Sequence, residues 1–162
     1  MDDHRIVFLD VDGVLHALNG EATFDDSCME RLKRIVETSG AAIVLSSSWR
    51  QSDWGVEEVN SQLALRGLKP IVGCTPVWGF RSRSDEILDW IHRSEPPVTH
   101  FCALDDMDLE HPHGEAVGRH FVQTDSDEGL TDTQVADALE KLRVRVDAAS
   151  LPAAEHQEER KW

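Results

Sequence analysis

Apolar and polar positions along this chain fall into alternating blocks. Ile6 to Leu9 are four apolar residues that run unbroken into Asp10. An uninterrupted apolar run of this length reads as a strand covered on both faces, as in a parallel sheet flanked by helices. Ala41 to Leu45 and Val98 to Leu104 repeat the pattern, and shorter versions occur at Ile71–Gly73 and Arg119–Val122. Helical spacing separates these blocks. Met29, Leu32, Ile35 and Val36 recur at three- and four-residue steps, with Ser27 as the expected N-cap and Gly40 as the stop. Residues 55–65 predict a second helix, with Val56, Val59 and Leu63 facing inward and Leu65 a further candidate for that face. A third starts at Ser84, with Asp85 and Glu86 in its first turn, and is broken by Pro96-Pro97. Residues 132–144 predict the last helix. This alternation predicts an α/β fold, a doubly wound parallel sheet with helices on both faces.

Chemistry-bearing residues gather where the predicted strands end: Asp10 and Asp12, Ser46 and Ser47, Asp105 and Asp106. In open α/β sheets, ligands bind outside the carboxyl ends of the strands. Asp12 follows Asp10 by two residues, and Gly13 frees the backbone to turn. Two carboxylates beside a buried strand end are costly unless a proton or cation balances them. Mg²⁺, a hard cation that takes carboxylate oxygens, water and phosphate, is the expected partner.

Asp10-Val-Asp12-Gly-Val14 after an apolar strand resembles the first motif of the haloacid dehalogenase superfamily of phosphohydrolases. The resemblance implies that Asp10 is a nucleophile forming an aspartyl-phosphate. Asp12 is then the general acid/base, and its main-chain carbonyl binds Mg²⁺. A serine at the second strand end holds the phosphoryl group. The strand end favours Ser46, whereas relatives with a Thr-x-Trp arrangement favour Ser47, and the balance tilts slightly to Ser47. A cation ahead of the acidic motif steadies the nucleophile; Arg83 is preferred to Lys69, because Lys69-Pro70 leads into a strand instead of a helix. Asp105 completes the metal site directly, with Asp106 acting through water or by orienting a neighbour. Arg50, Arg81 and Gly13 are expected to meet the substrate, and Trp49 and Trp78 to line the pocket mouth. The motifs together, with Thr75-Pro76 and Gly129-Leu-Thr131, are similar to the haloacid dehalogenase-type domains of multidomain RNA-repair proteins. This implies a phosphomonoester hydrolase acting on an exposed phosphate of a larger substrate, a nucleic-acid terminus among them. The rivals are a phosphotransferase built from the same residues and a non-catalytic binding module with a relic site.

Composition narrows the partners. The 162 residues carry 16 Lys+Arg against 31 Asp+Glu, a formal charge of −15. That excludes non-specific nucleic-acid or membrane-surface binding, which needs a basic face. No run approaches the roughly 18 apolar residues of a membrane span, and no signal-peptide pattern is present. Cys28, Cys74 and Cys102, odd in number and widely spaced, read as reduced thiols of a cytoplasmic protein. The eight histidines, His111-x-His113 and His120 among them, lack the spacing of a zinc site. One phosphatase domain over residues 1–148 is expected, followed by a polar tail over 149–162. Residues 16–26 and 73–80 are too short to hold an inserted cap domain, so the site should be open.

Overall fold

The computed structural model describes residues 2–77, 82–110 and 115–154. Arg81, Trp78, His111, His113 and the end of the expected tail lie outside the described residues. The sheet has five strands, all parallel: β1 (Arg5–Leu9), β2 (Ala42–Leu45), β3 (Gly73–Cys74), β4 (His100–Asp105) and β5 (Phe121–Gln123), in the order β3-β2-β1-β4-β5. The helices are α1 (Asp26–Ser39), α2 (Asp53–Leu65), α3 (Arg83–Arg93), the short α4 (Glu115–Gly118) and α5 (Asp132–Lys141). No helix among the described residues is long and apolar enough to cross a membrane.

Strand side chains alternate between two cores. Val7, Leu9, Ile43, Leu45, Cys102, Leu104 and Val122 face Met29, Leu32 and Ile35 of α1, Val59 and Leu63 of α2, and Val135 and Ala138 of α5. Ile6, Phe8, Val44, Phe101, Ala103 and Phe121 face Ile87, Leu88 and Ile91 of α3 and Val117 of α4. The sheet is therefore doubly wound, and its strands read as apolar runs because neither face meets water. Each fully buried Leu, Ile or Phe contributes roughly 1.5–3 kcal/mol by leaving water. Winding changes face after β3, so the order reverses beside β1. In open α/β sheets ligands bind at such a reversal, which here falls at the ends of β1 and β4.

The caps of α1 and α3 lie two residues upstream of the expected ones, whereas α5 begins at Asp132 as expected. α1 is capped by Asp25, whose carboxylate accepts from Cys28 N–H at 3.1 Å, instead of by Ser27. α3 is capped by Ser82 instead of Ser84, so Arg83 enters the first turn. A capping oxygen satisfies an otherwise unpaired first-turn N–H, and neighbouring Ser and Asp residues compete for that place. Gly40 ends α1 at φ 74°, as its position predicted. A 3-10 turn over Ser48–Gln51 follows β2, a feature the hydrophobic pattern did not signal. Residues 148–154, part of the polar stretch, pack on the α3 face: Ala154 is buried, and His92 bonds the Pro152 carbonyl at 2.8 Å.

Candidate active site

Strand register builds the centre of the site. Leu9 pairs with Leu45 on one side and with Leu104 on the other. The next residues, Ser46, Asp10 and Asp105, therefore stand abreast at the ends of β2, β1 and β4. Asp10 N–H donates to Leu104 O at 3.0 Å, and Ser46 N–H donates to Leu9 O at 2.8 Å, which extends the ladder to these residues. By the two-residue alternation they share the sheet face covered by α3. The N-terminus of that helix delivers Arg83. Its Nη1 donates to Asp105 Oδ2 at 2.7 Å and lies 3.3 Å from Asp10 Oδ2.

Carboxylates are concentrated here. Asp10 is 5% exposed and Asp105 1%. Carboxylate oxygens of Asp10, Asp105 and Asp106 all lie within 4.8 Å of one another. Burial, then the charge of Asp105, pushes the Asp10 pKa up to about 8, although Arg83 opposes the rise. Burial also raises Asp105, again against Arg83. One guanidinium therefore does not compensate the group. The donor set is all carboxylate oxygen, partly buried, and short of positive charge, which suits a hard divalent cation such as Mg²⁺.

Gly13 has a backbone purpose. Its φ is 77°, and an added Cβ would strike the Asp106 carboxylate, with Asp106 Cβ only 2.9 Å away. Its N–H is spent on His16 O at 3.1 Å, and its carbonyl accepts from Thr124 Oγ1 at 2.7 Å. The absence of a side chain at Gly13 lets two acidic segments approach. Asp12 stands apart from the three clustered carboxylates. Its Oδ1 accepts from His16 Nε2 at 2.9 Å and its Oδ2 from Trp49 Nε1 at 3.1 Å.

The two serines behave differently. Ser47 Oγ caps the 3-10 turn, accepting from Trp49 N–H at 3.2 Å. Ser46 Oγ is buried and has no hydrogen-bond partner among the described residues. A buried hydroxyl left unpaired costs about 1–3 kcal/mol, and such an exception calls for a ligand or a catalytic reason. The balance between them therefore moves from Ser47 to Ser46.

Arg50 is engaged within the fold. Its side chain is 4% exposed, and it donates to Thr75 O, Ser47 O, Pro76 O and Glu86 Oε2 at 2.5–3.2 Å. It ties the loop after β3 to the turn after β2 and to the first turn of α3. Lys69 is exposed ahead of β3, on the amino-end side of the sheet. His120 is buried away from the carboxylates: it stacks on Phe101 and donates Nδ1–H to the Phe101 carbonyl at 3.1 Å. The participants that sequence reasoning missed are His16 and Thr124. Neither belongs to a motif, and only the turn at Gly13 brings them in.

The family described as the HAD domain in Swiss Army Knife RNA repair proteins matches the chain over residues 6–135. No curated protein and no solved structure matches it.

Proposed function

The chain belongs to this family of HAD domains found in Swiss Army Knife RNA repair proteins, and from that premise we propose that it is a Mg²⁺-dependent phosphomonoester hydrolase. The observation that carries the reading is the Arg83 guanidinium bridging Asp10 and Asp105 at adjacent strand ends, with Ser46 alongside. Asp10 is the nucleophile: one oxygen bonds phosphorus as the ester oxygen departs, leaving an aspartyl-phosphate. Asp12 gives its proton to the departing oxygen. It then takes a proton from the water that cleaves the intermediate. Ser46 Oγ and Arg83 hold the phosphoryl oxygens, whose charge needs fixed donors. Asp10, Asp105, Asp106 and the Asp12 carbonyl would hold Mg²⁺, which when bound neutralises phosphate charge and aligns it for attack.

The substrate we propose is a phosphate exposed at the end of a larger molecule, a nucleic-acid terminus in particular. Two short segments support it. Residues 16–25 separate the β1 turn from α1, and residues 75–82 separate β3 from α3. A lid that excludes water needs a core of its own, and neither segment has the length for one.

The test is release of inorganic phosphate from oligonucleotides phosphorylated at either end, with Mg²⁺ and with excess chelator. Mg²⁺-dependent release, with a hydroxylamine-labile label on Asp10, is expected. No release from either end would overturn the reading. Transfer of the label to an added alcohol in preference to water would make the protein a phosphotransferase.

A further inference from the structure

The Asp12 carboxylate is half-exposed; its side chain is 42% exposed. An aspartate that open normally samples several rotamers and loses entropy when held. Here both oxygens are held by ring N–H groups from different parts of the chain. His16 comes from the turn after Asp12 itself, at 2.9 Å. Trp49 comes from the 3-10 turn after β2, at 3.1 Å.

Both rings are fixed in turn. Phe24 N–H donates to His16 Nδ1 at 3.4 Å, which assigns the hydrogen to Nε2 and makes Nε2 the donor to Asp12. His16 is 8% exposed and lies edge-on to Phe24. Phe24 also meets the Trp49 ring edge-on at 5.2 Å, and Trp54 stacks on Trp49 at 5.8 Å. Both ring nitrogens of His16 are engaged, Nε2 with Asp12 and Nδ1 with the Phe24 N–H, so its action passes through Asp12.

We infer that His16 and Trp49 are positioning residues, whose ring N–H groups fix the Asp12 carboxyl for proton transfer to the leaving oxygen. The inference rests on the phosphatase reading above. In the first step Asp10 bonds phosphorus, and the phosphorus–oxygen bond to the leaving group breaks. Its electron pair stays on that oxygen, which takes the Asp12 proton. Asp12 thereby becomes a carboxylate, and the two N–H donors stabilise the charge as it forms. Each carboxyl oxygen keeps a second lone pair, so the donors leave room for the proton. In the second step water attacks phosphorus and passes a proton to Asp12. The bond to Asp10 breaks, restoring its carboxylate and releasing phosphate. Neither donor bonds Asp10, Asp105 or Arg83, so the nucleophile and the phosphate cradle do not depend on them.

The test separates proton transfer from everything else. The full chain with Mg²⁺ is given a phosphate-terminated oligonucleotide and the same oligonucleotide with sulfur in place of the leaving oxygen. A thiolate departs without a proton. The specificity constant kcat/KM covers only the steps up to the aspartyl-phosphate, where Asp12 acts as the acid. Trp49→Phe keeps an aromatic ring but removes the N–H, and His16→Leu removes the other donor. Each is expected to shift the sulfur-to-oxygen ratio of kcat/KM by about tenfold or more toward sulfur, part of the ~10²–10⁴ that general acid catalysis supplies. His16→Gln, which can place an amide N–H near the lost Nε2, should restore much of the ratio. The ratio is taken within each variant, so partial misfolding cancels. Turnover by the parent chain with the ratio unmoved in both variants overturns this inference alone. Failure of the parent to release phosphate from the oxygen ester overturns the phosphatase reading, and this inference with it.

Discussion

Arg50 Nη2 meets Glu86 Oε2 at 3.0 Å, with the two side chains only 4% and 7% exposed. The pair ties the turn after β2 to the first turn of α3, the two segments that carry Ser46 and Arg83. Breaking a buried pair by removing one partner typically costs about 3–5 kcal/mol. Arg50→Ala should therefore lower the melting temperature by roughly ten degrees or more. Arg50→Met with Glu86→Leu should recover much of that loss, because both buried charges are then replaced by apolar side chains. A single variant that melts like the parent while losing only substrate affinity would return Arg50 to the substrate-binding role expected from sequence.

Ser46 and Ser47 separate chemistry from structure. Ser46→Ala removes a hydroxyl with no partner among the described residues, so stability should hold or rise. Turnover should fall by about 10²-fold, the scale for losing one fixed donor to a phosphoryl group. Ser47→Ala removes the cap over Trp49 N–H and should cost about 1 kcal/mol of stability. Thermal melts and kcat/KM on both variants decide the matter, and the reverse pattern would restore Ser47 as the phosphate ligand.

Asp10→Asn should abolish turnover, by roughly 10⁴-fold or more, while leaving the fold intact, since an amide is a poor nucleophile. The hydroxylamine-labile label should vanish with it. Near-parental rates would mean that another group attacks phosphorus.

The same residue sets a pH dependence of stability. In the folded, metal-free chain its pKa is raised from 3.8 to about 8, first by burial. The folded state thus binds a proton that the unfolded state has lost, and stability falls as pH rises through that interval. In chelator, this group's contribution should lower the melting temperature as pH rises from about 4 to about 8 and add nothing further above that. Asp10→Asn should flatten the slope. Saturating Mg²⁺ should also flatten it and raise the melting temperature most at the alkaline end, because a cation then takes the proton's place. A flat profile in chelator would show that Asp10 is ionised without metal.

Where packing is enforced on both faces, the sequence was easy to read. The runs at Ile6–Leu9 and Phe101–Leu104 can only be strands in a covered sheet, and their register then sets Asp10 beside Asp105. Arg83 was found because its place before the acidic motif is a local feature. The burial of Arg50 is not legible in the sequence, because it depends on Glu86, Thr75 and Pro76, which lie 25–36 residues away. Ser46 and Ser47 could not be separated for a similar reason: adjacent side chains on a strand face opposite ways, and only the 3-10 turn claims one of them. The Asp12–His16 contact left no sequence signal, since it needs the left-handed turn at Gly13 to fold the chain back.

Substrate size follows from what borders the opening. The segments where a cap domain would be inserted, residues 16–25 and 75–82, are too short to fold over the site. Trp54, 68% exposed in the first turn of α2, stacks on Trp49, whose Nε1 reaches Asp12. An exposed aromatic ring therefore stands one side chain away from the residue that serves the leaving group. A nucleobase can stack on such a ring with a gain of roughly 1–3 kcal/mol. A net charge of −15 opposes long contacts with a phosphate backbone, so recognition should be confined to the terminal nucleotides. The expected ranking of kcat/KM is phosphate-terminated oligonucleotide first, then phosphopeptide, then free sugar phosphate. Lengthening the oligonucleotide beyond a few nucleotides should add little. Trp54→Ala should narrow the gap between oligonucleotide and sugar phosphate by about tenfold, mostly through KM. A sugar phosphate preferred by the monomer would refute the open-site reading. A rate that keeps rising with oligonucleotide length would instead point to an extended basic track.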